Sequence, residues 1–236
     1  MKILFTPDWF FSTDVLIEVF SFLILFLFFV LAFRSYKTSK NKSSLYLGLG
    51  FLLIAFGEIS TILTKIVLYY NIVFTKNIDG ILITYTLLRS VNWFYYIGLF
   101  LNKFLTLAGL YMLYLLSINN KKKPDVFLAV YLILISALFS QVTYYVFHIT
   151  ALVLLILIII NYHQIYKKNK AKNTVILLAS FILLAISQGI FILSEISSTY
   201  IIAQSIQLIS YALMLFLIIR ILYYPDEKIQ NGKKKK

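Results

Sequence analysis

Long apolar runs broken by short polar clusters dominate the chain. A helix needs about 20 mostly apolar residues to cross the hydrocarbon core of a bilayer. Seven such runs occur, at about 14–34, 44–68, 93–117, 124–140, 143–164, 174–194 and 199–222, the fourth being the shortest. The pattern predicts an all-α membrane protein, a seven-transmembrane helix bundle. The first run has no basic leader or small-residue cleavage site and is interrupted by Glu18, so it reads as a retained helix rather than a signal peptide. Between the second and third runs, Asp79-Gly80 marks a turn. The apolar stretch Ile81–Val91 then reads as a short interfacial helix, followed by Trp93, Tyr95 and Tyr96 as anchors at the membrane surface. Pro7, Pro124 and Pro225 all fall outside the runs or at their ends, so no helix interior is kinked by proline.

Composition removes whole classes of function. The 236 residues are 61% hydrophobic and 13% charged, against about 45–50% and 25% in soluble domains. A soluble enzyme or a nucleic-acid module is excluded. The net charge of +13 reflects cations at the ends of the runs rather than a nucleic-acid surface. There is no cysteine, hence no disulfide or thiolate site, and His148 and His163 lack metal-ligand spacing. No metal or cofactor and no catalytic motif is expected.

The cations set an orientation. Arg34, Lys37, Lys40 and Lys42 follow the first run, Lys121–Lys123 the third and Lys167, Lys168, Lys170 and Lys172 the fifth. Arg220, Lys228 and Lys233–Lys236 close the chain, and the loops after the fourth and sixth runs carry none. Basic loops face the cytoplasm, so the N-terminus is expected outside and the C-terminus inside. The basic loops would meet anionic inner-leaflet lipid, and the location is the cell membrane, multi-pass.

An internal repeat accompanies the topology. Residues 36–60 and 166–190 align without a gap, with eight identities in 25 positions. Tyr36, Lys37, Lys40, Lys42, Phe51 and Ala55 match Tyr166, Lys167, Lys170, Lys172, Phe181 and Ala185; Glu58 falls on Gln188 and Glu18 on His148. The third and seventh runs align at an offset of 102, which puts Asn102 on Gln204. The implied plan is 3+1+3: one triplet over about 14–117, a linking helix at about 124–140, a second triplet over about 143–222 and a basic tail at 223–236.

Polar residues inside the runs are the candidate chemistry, because charge in hydrocarbon is costly and turns toward protein or water. Glu18, Glu58, Asn102, Lys103, His148, Gln188 and Gln204 lie about 21–24 Å from the basic ends at 1.5 Å per residue. Seven groups on six helices thus share one layer in the outer half. They are expected to line a pocket for a small molecule, with Glu58 and Lys103 facing each other as an ion pair.

The helix count and order resemble SWEET and PQ-loop sugar transporters in topology, but the Pro-Gln pair and kinking prolines of that type are missing. Microbial rhodopsins place a lysine in the last span, and 199–222 has none. The Asp-Arg-Tyr and Asn-Pro-x-x-Tyr motifs of G-protein-coupled receptors, and the several histidines of ceramidase-type hydrolases, are also missing. No functional residue is carried over from these families. The expectation is a receptor or sensor that binds a small molecule in the outer-half pocket and signals through a separate protein partner. The alternatives are a 3+1+3 solute transporter and an accessory subunit of a membrane complex.

Overall fold

A computed structural model describes residues 10–71, 75–78, 81–84, 88–118, 126–170, 172–193 and 197–223. Seven helices form among these residues: α1 (Phe11–Ser39), α2 (Lys42–Asn71), α3 (Leu88–Ser117), α4 (Val126–Phe139), α5 (Tyr145–Asn169), α6 (Lys172–Ile192) and α7 (Ser197–Tyr223). Six are long and apolar enough to cross a membrane; α4, with 14 residues, is the short one. The architecture is a multi-pass helical bundle. At 1.5 Å per residue α4 is about 21 Å long, short of the roughly 30 Å hydrocarbon core.

Two expectations are corrected between α2 and α3. No separate interfacial helix spans 81–91. Strand β1 (Thr75–Ile78) instead pairs antiparallel with β2 (Ile81–Thr84), Ile78 opposite Ile81. Residues Asp79 and Gly80 lie outside the described set. Helix α3 then begins at Leu88 and runs unbroken for 30 residues, about 45 Å. A helix satisfies its own backbone, so it can project beyond the hydrocarbon at no hydrogen-bond cost.

The basic connections are also tighter than the apolar runs imply. Helix α1 continues through Lys37 to Ser39, and α2 resumes at Lys42. Lys40 takes the left-handed conformation and its N–H bonds to the Tyr36 carbonyl at 2.8 Å. The α5–α6 connection repeats this geometry at Lys170, whose N–H bonds to the Tyr166 carbonyl at 2.7 Å. These are the two non-glycine residues with positive φ among those described. The left-handed residue satisfies a terminal carbonyl of the ending helix, and its neighbours' cationic side chains extend beyond the apolar section.

The helices close into a ring. Each of α1, α2, α3, α5, α6 and α7 packs against its neighbours in that order, and α7 returns to α1. Helix α4 lies outside, against α3 and α5, and much of its apolar surface is exposed, Phe127 most of all at 83%. Helices α3 and α5 run parallel, tied at one end by Gln141 Nε2 donating to the Tyr96 carbonyl (3.1 Å) and at the other by Asn161 Nδ2 donating to Ser117 Oγ (2.8 Å). Helix α4 therefore carries the chain back from the basic end of the bundle to the opposite end.

The apolar core of the basic half is formed by Leu25, Phe28, Phe51, Ile54, Leu113, Leu155, Ile158, Phe181 and Met214. Phe51 and Phe181, the matched pair of the sequence repeat, are each 1% exposed. Helices α2 and α3 approach closely because Gly50 faces Gly109; a Cβ on Gly109 would sit 2.6 Å from the Gly50 carbonyl oxygen. At the α6–α7 interface, Ser210 Oγ donates to the Ser180 carbonyl at 2.7 Å.

Candidate functional site: a polar cavity at one end of the ring

A cavity of about 340 Å³ opens inside the ring at the end opposite the basic residues. Glu18, Glu58, Asn102, Lys103, His148, Gln188 and Gln204 all border it. The shared depth inferred from helix rise thus corresponds to a shared inward direction as well. Tyr95, Tyr96, Phe147, Phe191 and Tyr211 supply aromatic wall.

The expected Glu58–Lys103 ion pair does not form. Lys65, one helical turn from the end of the second apolar run, is the cation at the centre of the buried charge cluster. Its Nζ lies 2.5 Å from Asp14 Oδ2 and 2.5 Å from Glu18 Oε1, and all three side chains are nearly inaccessible. Asp14 also accepts from the Tyr200 hydroxyl (2.9 Å) and from Gln204 Nε2 (2.6 Å). This network joins α1, α2 and α7. Glu18 Oε2 is buried without a hydrogen-bond partner among the described residues.

Glu58 makes no hydrogen bond to that network, although it lies near enough to feel the charge of Lys65. The Tyr211 hydroxyl donates to its Oε1 at 3.4 Å, and Gln207 Nε2 donates to the Tyr211 oxygen at 3.3 Å. Lys103, also on the cavity wall, donates from Nζ to the Ser140 carbonyl at 2.7 Å, which fastens the α4–α5 turn to α3. Asn102 turns to α2 and donates from Nδ2 to the Gly57 carbonyl at 2.9 Å. His148 Nδ1 and Gln188 Oε1 are 2.7 Å apart, and the imidazole lies stacked on Phe191 with ring centres 5.0 Å apart.

Asp14, Lys65 and Tyr200 were not among the residues picked out from sequence. Their signal is helical spacing: Asp14 precedes Glu18 by one turn, and Lys65 follows Glu58 by two, so each pair shares a face. Beneath the cavity a small void of about 40 Å³ adjoins Thr106, Gln188 and Tyr211, and is otherwise walled by core residues such as Leu25, Phe51 and Met214. No group of three or more residues able to hold a metal forms among those described.

The chain matches no protein-family model, no curated protein and no solved structure.

Proposed function

We propose that this chain is a membrane receptor or sensor that binds a small polar molecule in the cavity from the outer side and passes the event to a separate partner. The observation that carries the reading is a cavity lined by polar groups from six helices and floored by an apolar core. Concave sites with a few fixed polar groups in a mostly apolar wall are where small ligands bind, and about 300–1,000 Å³ is the usual range. Most of these groups are bonded to neighbouring helices, but Glu58 and Lys103 border the same space without pairing with each other. By the basic-end rule the N-terminus lies outside, which turns the cavity mouth outward. The basic end would then lie on anionic inner-leaflet lipid or a cytoplasmic partner.

The 3+1+3 plan belongs to the same proposal. The turns at Lys40 and Lys170, the ring order and two interface contacts support it. Gly50 against Gly109 corresponds to Ser180 against Ser210, and Asn102 on Gly57 corresponds to Ser187 Oγ on the Ala203 carbonyl at 3.0 Å. These contacts align α3 with α7 at an offset of 101 rather than 102. Such a duplication is also a transporter plan, and it favours that as the second reading. The apolar core below the cavity favours the sensor, because its void is only about 40 Å³ and a solute would have to pass Phe51, Phe181 and Met214.

The test is ligand-dependent thermal stabilisation of purified protein in nanodiscs against a set of small polar metabolites. A compound that raises the melting temperature of the native protein should leave Thr61→Trp, which puts an indole into the cavity, unchanged. Equal stabilisation of both proteins, or none of the native protein, overturns the reading.

A further inference from the structure

We propose that the cavity takes a small zwitterion, with its ammonium end at Glu58 and its carboxylate end at Lys103. This rests on the cavity being a ligand site and adds the chemical class of the ligand.

The charges around the cavity are separated by wall. Glu18 and Glu58 border the cavity from α1 and α2, with one cation, Lys65, held between Glu18 and the Asp14 behind it. That side of the cavity holds more carboxyl groups than ammonium groups. Glu58 has no cation within ion-pair distance among the described residues, and only the Tyr211 hydroxyl reaches it, at 3.4 Å. Lys103 stands on α3 with no carboxylate within ion-pair distance among the described residues. It spends one donor on the Ser140 carbonyl, and an ammonium group has three.

Ionisable groups of opposite kind left unpaired within the membrane-spanning part of a bundle are costly on each side. A molecule that carries both charges offsets both costs at once. An amine alone would leave Lys103 unanswered, and an acid alone would leave Glu58 unanswered. The aromatic wall suits the same ligand: Tyr211 beside Glu58 and Tyr95, Tyr96 and Phe147 around the cavity supply the residue types that attract an ammonium group and give apolar contact to a short carbon body.

The experiment uses the full chain in nanodiscs and isothermal titration with matched probes. These are phenylalanine, phenethylamine and 3-phenylpropionate, and 6-aminohexanoate, hexylamine and hexanoate; the two zwitterions differ in charge separation. At least one zwitterion should bind more tightly than both of its single-charge partners, by about ten-fold or more, as one charge-assisted hydrogen bond provides. In Lys103→Met the zwitterion should fall to the affinity of its amine, and in Glu58→Gln to that of its acid. Should a variant fail to fold, the comparison of matched probes on the native protein still decides. An amine or acid that binds as tightly as its zwitterion overturns the proposal. So does the failure of every probe to bind. In either case, stabilisation of the native protein by another metabolite, lost in Thr61→Trp, would leave the cavity as a ligand site and remove only the zwitterion.

Discussion

Replacing Lys65 with methionine removes the one cation that the structure sets between two buried carboxylates. Asp14 and Glu18 each approach its Nζ at 2.5 Å. Asp14 retains Tyr200 at 2.9 Å and Gln204 at 2.6 Å, but Glu18 keeps no hydrogen-bond partner among the described residues, since its second oxygen is already without one. Leaving a buried charge uncompensated costs about 3–5 kcal/mol. Lys103→Met provides the comparison, because it removes a hydrogen bond to a neutral carbonyl, worth roughly 0.5–3 kcal/mol depending on what is left unpaired. The charge-free combination Lys65→Met with Asp14→Asn and Glu18→Gln should recover part of the loss, since the three side chains act as one network. Equilibrium unfolding in mixed detergent–dodecyl sulfate micelles measures all of these on one scale. Should Lys65→Met cost no more than Lys103→Met, or should the triple change be worse than Lys65→Met alone, the reasoning about the cluster is wrong.

Gly109→Ala would place a Cβ 2.6 Å from the Gly50 carbonyl oxygen; the α2–α3 interface should lose about 1–3 kcal/mol by overpacking, read as a lower unfolding midpoint. Phe51→Ala and Phe181→Ala, at matched and equally buried positions, should each cost about 3–5 kcal/mol in the same assay. A difference of more than about 2 kcal/mol between the two, well beyond the usual 0.3–0.5 kcal/mol scatter of independent sites, would count against the two halves being equivalent.

Helices and their polar layer were legible because they rest on local signals. Apolar length marks the spans, and a rise of 1.5 Å per residue turns position into depth; Glu18, Glu58 and His148 were placed at one level that way. Partners were not legible. The cation nearest in depth to Glu58 is Lys103, but side-chain direction on a helix changes by 100° per residue, and depth carries no direction. Lys65, two turns further from the basic end than Glu58, reaches Asp14 and Glu18 because α1 and α2 are joined by a two-residue connection that brings them side by side. The hairpin at 75–84 escaped for a different reason: Ile81–Val91 is apolar throughout, and a short apolar run does not distinguish strand from helix. The ring order, with α4 outside, depends on contacts between α7 and α1 that no local pattern encodes.

Because the native chain has no cysteine, single cysteines report on the cavity without background. Thr61→Cys on the cavity wall and Ser39→Cys at the basic end, where Ser39 is exposed, form the decisive pair for a small membrane-impermeant thiol reagent applied to intact cells. Thr61→Cys should react from outside, and Ser39→Cys only after lysis. A Thr61→Cys protein that stays unreactive on intact cells, or a Ser39→Cys protein that reacts there, would contradict a ligand cavity open to the outside.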